Sequence, residues 1–242
     1  MFRKALLVGY MLSAMGMVAQ DLPTGTALPV MLHSPIDGGK TVPGTTVKAR
    51  LMQDVNLPSG LRIPAGATVL GDVVEVAPPG ASSGSRLVFK FDRLLFDKRT
   101  LHFSSHLRAL ASRNEVFDAQ LPTNAIDDFG TTVADWVTVQ VGGNELVYRG
   151  DGTVMAANQV VGSADSGGAV RAKLQVVDAA GCHASSEPQS LWVFSTTACG
   201  VYGYEDTTIA HRGRTDPIGE VVLTSHKKVR VQGGSGLLLV TN

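Results

Sequence analysis

Two cysteines, Cys182 and Cys199, are the only ones in this 242-residue chain, and their chemistry is the easiest to read. Neither lies in a C-x-x-C motif, so redox catalysis and haem attachment both lack their signature. In an oxidising compartment two such thiols pair, and closing a loop this short is worth about 3 kcal/mol by chain entropy. The alternative is two free thiols, since pairing also needs a Cα separation that sequence does not show. Around Cys199 the aromatic residues Trp192, Phe194, Tyr202 and Tyr204 gather. Exposed, they would bind a glycan or a partner; buried, they would form a core over the disulfide. The segment His211-Arg212-Gly213-Arg214-Thr215-Asp216-Pro217 concentrates cationic donors in a glycine-containing loop. His211, Arg212 and Arg214 would clasp a carboxylate or phosphate there, or form a polar turn with an internal Arg–Asp pair.

Other motifs carry less. Gly80-Ala81-Ser82-Ser83-Gly84 fits G-x-S-x-G, yet Pro78-Pro79 separates it from the preceding strand and a strand follows. A nucleophile elbow needs a strand before and a helix after, so this is a loop. His102 and His106 have the i, i+4 spacing of a helical metal pair, but the stretch reads as a strand, where that spacing does not join them. Asp165-Ser166-Gly167-Gly168 is similar to the nucleophile motif of chymotrypsin-like serine peptidases, which are also exported and all-β. That chemistry needs a histidine to take the Ser166 proton and an acid to orient it. His106 is the best-placed base, without the family's usual context, and Asp151 lies too close to Ser166 in the chain for that fold. The motif also serves simply as a turn before a strand.

The elements that would position these residues are short strands. Gly at 27 and Pro at 11, with only 17% charged residues, fit many turns and few long solvated helices. Alternation is clear at Thr46–Leu51, where Val47, Ala49 and Leu51 share one face. Thr68–Val76 follows a Pro64–Gly66 turn. Arg86–Asp92 places Leu87, Phe89 and Phe91 inward, with Val88, Lys90 and Asp92 outward. A hairpin then runs through Leu94–Phe96 and Thr100–Leu107 around an Asp97-Lys98-Arg99 turn. From Arg113 to Thr132 the pattern dissolves into a linker, with a short helix expected over Asn124–Gly130. Alternation resumes at Trp136–Val141, Glu145–Tyr148 and Val170–Val176. Leu191–Phe194 reads as a strand covered on both faces. Glu220–Ser225, Lys228–Gln232 and Leu237–Val240 are the final strands. The expected fold is all-β, an antiparallel β-barrel or sandwich of many short strands. It divides into a unit at 20–112, a linker at 113–132 and a disulfide-bearing unit at 133–242, with the C-terminal strands closing the first unit.

The N-terminus indicates the compartment. Arg3-Lys4 precedes an uncharged apolar run, Ala5–Val18, and the small residue Ala19 follows before Gln20-Asp21, the pattern of a signal peptide over 1–19. As a helix that run rises about 21 Å, short of the roughly 30 Å hydrocarbon core. No integral membrane segment is therefore expected after cleavage. Lys+Arg and Asp+Glu balance at 21 each, so nothing points to nucleic acid.

One stretch has a familiar order of elements. Thr41-Val42-Pro43-Gly44, the strand to Arg50, Ile63-Pro64-Ala65-Gly66, the strand containing Gly71, and Leu87–Phe96 together resemble the C-terminal β-barrel of the TrbI-like scaffold subunit of type IV secretion and conjugation systems. The stretch is closer still to uncharacterised exported bacterial proteins with the same Ile-Pro-x-Gly block. The resemblance covers about residues 40–112 and, more loosely, Val229–Gly234. It implies a barrel that serves protein contacts and holds no active site. The reading is a non-catalytic exported envelope protein, a scaffold or binding module without cofactor or metal. Its expected partners are proteins of the envelope, including further copies of itself, and its location is periplasmic, outer-membrane associated or secreted. The alternatives are a serine peptidase using Ser166 and a carbohydrate-binding module presenting Trp136 or Trp192.

Overall fold

The structure, a computed structural model, describes residues 22–80, 83–121, 135–143, 145–163, 172–179, 181–210 and 219–242. The first strands in chain order are β1 (Ala27–Leu32), β2 (Ile36–Asp37), β3 (Thr46–Leu51), β4 (Val55–Asn56), β5 (Arg62–Ile63), β6 (Thr68–Ala77), β7 (Ser85–Phe96), β8 (Arg99–His102) and β9 (Ser105–Ala111). A short helix, α1 (Arg113–Asp118), follows. Then come β10 (Asp135–Val139), β11 (Glu145–Arg149), β12 (Thr153–Ala156), β13 (Gln159–Ser163), β14 (Lys173–Leu174) and β15 (Gln189–Ser190). The chain ends with β16 (Gly200–Tyr202), β17 (Thr207–Ile209), β18 (Val221–Ser225), β19 (Arg230–Val231) and β20 (Gly236–Thr241). The fold is all-β, as the sequence predicts.

The main sheet runs β16-β9-β20-β1-β3-β6-β7-β18-β17, with β8 on β7 beside β18. Laid flat, that path would be about 38 Å wide at the usual strand spacing. Yet its two ends, β16 and β17, are separated by only residues 203–206, a link that reaches at most about 17 Å. The sheet must therefore roll up. Among the described residues no ladder joins β16 to β17, so the roll stays open. The C-terminal strands complete it as expected: β18 pairs with β7, and β20 lies between β1 and β9.

Inside the roll sits one core, with Leu28, Val30, Leu51, Phe89, Phe91 and Leu239 among its residues. A second core covers the outer face of β1, β20 and β9. Ala27, Ala109 and Leu238 there meet Leu146, Tyr148 and Val154 of the β10–β13 meander, together with Leu191 to Phe194. This explains a difference in patterning. β3 alternates strictly because its outer face meets water, whereas β1 and β20 are apolar on both sides.

Two segments differ from expectation. Leu191–Phe194 is fully buried, as its composition requires, but it is a turn and not a strand. Trp192 has φ 53°, a left-handed conformation that no ladder accommodates. Val170–Val176 keeps its alternation in burial from Ala172 to Val176, yet among its described residues only Lys173–Leu174 pair in a ladder. The linker expected from Arg113 opens with α1, whose N-cap Ser112 accepts a hydrogen bond from the Glu115 N–H at 3.3 Å. The helix expected over Asn124–Gly130 and the signal peptide lie outside the described residues.

The outer face of β6 and β7 is a charged belt. Asp92 is an extra residue in β7, because Leu70 faces Arg93 and Gly71 faces Phe91. Burial alone pushes its carboxyl up, but bonds from Arg93 and Lys90 outweigh that and leave it below the ordinary carboxylate value. A depressed carboxyl stabilises the fold fully above its unfolded value, near about pH 4, and the gain is lost as pH falls through the folded value. The side chain is 30% exposed, so the gain stays below about 1 kcal/mol. Asp92→Asn is therefore expected to lower the melting temperature at neutral pH. The gap from wild type should close at about pH 2; a gap that persists there would show a packing effect instead of a charge effect.

Candidate functional site

Arg108 is the residue around which the most specific local geometry is built. In the β9–β20 ladder Leu238 faces Ala109 and Leu239 faces Leu107, so Arg108 is a bulge residue without a partner across the strands. The bulge keeps Leu107 and Leu110 in the inner core and sets Ala109 in the outer one. Arg108 is only 4% exposed. Its Nε–H donates to the Ala198 carbonyl at 2.9 Å, Nη1 to that of His183 at 2.5 Å and Nη2 to that of Val177 at 3.0 Å. All three carbonyls belong to one arm, the described residues of 177–199, which is irregular apart from β15. Cys182 and Cys199 close that arm as the expected disulfide, with Cα atoms 5.9 Å apart. Burial lowers the Arg108 pKa, while Tyr202 and Asp178 act in the other direction. A guanidinium nevertheless stays charged in proteins.

Irregular backbone can be buried only if its N–H and C=O groups find partners, and side chains are one source of them. Two glutamines do this at the far end of the arm. Gln53 Oε1 accepts from the Trp192 N–H at 2.7 Å, and its amide nitrogen donates to the Ala172 carbonyl. Gln140 Nε2 donates to the carbonyls of Trp192 at 3.3 Å and Phe194 at 3.0 Å. Nearby, Ser190 Oγ donates to the Asp54 carbonyl at 2.7 Å, and the Ala27 N–H donates to Gln189 Oε1 at 3.1 Å. The arm is thus fixed to the rolled sheet at both ends.

Between the arm and the sheet lies a cleft of about 1610 Å³. Ala27, Leu238 and Val240 come from the sheet, Val176 and Leu191 from the opposite side. Arg108, His183 and Cys182 line it too. Lys173, Glu187, His106 and Glu220 supply further polar lining. His106 Nδ1 lies 2.7 Å from Asn242 Oδ1, and Asn242 Nδ2 donates to Ser104 Oγ at 2.9 Å. This network orients the imidazole within the cleft wall.

The aromatic group around Cys199 packs inward. Trp192 is 8% exposed. Tyr202 is half-buried and its hydroxyl accepts from the Cys199 N–H at 3.1 Å. Tyr204, also half-buried, places its hydroxyl 2.5 Å from Ser235 Oγ and accepts from the Gln232 N–H at 2.9 Å. His102 and His106 fall on different strands, β8 and β9. His211, Arg212, Arg214 and Ser166 lie outside the described residues, as does the Trp136 side chain.

No protein-family model and no curated protein sequence matches this chain. The residues that build the cleft must therefore speak for it. Arg108 was open to sequence reasoning: it is the one charged group inside Leu107–Ala111, an otherwise apolar run. Gln53 and Gln140 gave no such signal, because nothing in their neighbours indicates which distant backbone they hold.

Proposed function

We propose that this chain is a non-catalytic exported protein of the cell envelope, a scaffold or binding module that holds a protein partner in the cleft beside the disulfide arm. The cleft carries this reading. It exceeds the roughly 300–1,000 Å³ that small-molecule sites occupy, and it combines an apolar floor with scattered polar groups. The arm that forms one wall is closed by a disulfide, which persists in oxidising compartments. Among the described residues no helix is long and apolar enough to cross a membrane. The charged-then-apolar N-terminus and the resemblance of residues 40–112 to TrbI-like scaffold barrels support the same assignment.

The test is a photo-cross-linking residue placed at Ser186, an exposed position in the cleft lining, with Val42, exposed and outside the cleft, as control. In the osmotic-shock fraction of the native host, position 186 should give a discrete adduct whose mass separates a partner from a second copy. Val240→Asp, which puts a charge on the cleft floor, should abolish it. Equal labelling from Val42, or no adduct from 186, would overturn the proposal, as would retention of the protein in the cytoplasmic fraction.

A further inference from the structure

Among the described residues, Arg108 is a buried cation that makes no ion pair. Three of its five N–H groups bond neutral carbonyls, which leaves two, one on each terminal nitrogen, with no partner among the described residues. Asp178, an acid whose field acts on it, is exposed, makes no ion pair with it, and accepts the Ala184 N–H at 2.5 Å. Buried charges are ordinarily paired, because leaving water is costly and carbonyl dipoles return only part of that cost. This one lines a cleft.

The geometry points to a carboxylate site: the part of the cleft that Arg108 lines takes the carboxylate of a ligand whose body is apolar, with Arg108 as the recognising group. The planar fork of a guanidinium matches a carboxylate, and the pair is stronger away from bulk water. The remaining lining selects the rest of the ligand. Ala27, Leu238, Val240, Val176 and Leu191 offer apolar contact along the cleft. Glu187 and Glu220, also in the lining, disfavour a phosphate dianion more than a single negative charge. Two sources share this chemistry, the free C-terminus of a peptide and a medium-chain organic acid. The inference rests on the reading of the cleft as a binding surface.

The experiment titrates the intact oxidised protein with four probes: an N-acetylated apolar tripeptide with a free C-terminus, the same tripeptide amidated, octanoate and octanol. Binding is followed by ¹⁵N–¹H spectra that include the arginine Nε–H resonances. At least one acid should bind tenfold or more tighter than its neutral counterpart, with the largest shifts at Arg108 and residues 181–183. Whether the peptide or octanoate shows this preference identifies the source. Arg108→Lys keeps the charge but loses the fork, and should reduce the acid preference at least threefold while leaving the spectrum folded. Because Arg108→Met leaves three carbonyls without a donor and can unfold the arm, the wild-type comparison of acid with neutral probe decides. Equal binding of acid and neutral forms, or shifts away from Arg108, overturns the carboxylate site and leaves the cleft itself intact as a binding surface. Displacement of the acid by equimolar inorganic phosphate would overturn the stated preference. No binding of any probe, alongside a genuine adduct at position 186, would overturn this inference and not the cleft reading.

Discussion

Gly71→Ala is expected to destabilise the protein by about 3 kcal/mol or more, enough to move a urea unfolding midpoint by a large fraction of its value. The cause is contact and not conformation. A Cβ on Gly71 would lie 1.7 Å from the Lys90 carbonyl oxygen and 2.6 Å from its carbon, both backbone atoms of β7. Those atoms cannot step aside like a side chain, because Lys90 sits in the β6–β7 ladder, paired with Asp72 and next to the register shift at Gly71. A glycine in a strand interior commonly marks such a close approach or bend. Gly44→Ala provides the comparison: φ there is 85° and nothing lies within 4 Å, so only the left-handed penalty of about 1 kcal/mol applies. If Gly71→Ala proves as mild as Gly44→Ala, the β6–β7 crossing is not as close as described.

The contrast between those two glycines also indicates what was legible in the sequence. Gly44 follows Pro43 and reads as a turn, which it is. Gly71 reads as part of a strand, which is also right, but the approach of Lys90 depends on the Asp92 bulge and has no sequence signature. The same division holds for the fold. β3, β6 and most of β7 stand out because one face meets water, so their side chains alternate, although Val88, expected outward, is buried. Apolar residues on both faces remove that signal where the second core covers the sheet, and Leu191–Phe194 was misassigned for this reason: burial on all sides looks the same in a strand and in a buried turn. The helix at Arg113–Asp118 did carry a signal, the Ser112-x-x-Glu115 spacing of an N-cap, but six residues are too few for an apolar stripe. At the candidate site the cysteine pair was readable from type alone. The cleft was not, since its walls are brought together by a bond from the Trp192 N–H to Gln53, 139 residues apart, and one from Arg108 to the Ala198 carbonyl, 90 apart.

The disulfide and Arg108 act on the same arm, and this makes their effects interdependent. Replacing both cysteines by serine is expected to lower stability by about 3 kcal/mol, the chain-entropy value for a loop of this length. The loss should not be uniform over the molecule. Without the cross-link, the carbonyls of Val177, His183 and Ala198 are held to the sheet mainly by one guanidinium. Residues 181–191, one wall of the cleft, would then open in a local unfolding step well below the global one, while β3, β6 and β7, which the arm does not touch through these bonds, keep their protection. Hydrogen exchange before and after reduction with a dithiol measures this directly. The expected result is faster exchange confined to 181–191 and its immediate supports. A double-mutant cycle of Arg108→Lys with the cysteine pair should show coupling of about 0.5 kcal/mol or more, because each restraint limits what the loss of the other can release. Additive effects, or exchange that rises equally in β6 and in the arm, would mean that the disulfide stabilises the fold as a whole and does not set the wall of the cleft.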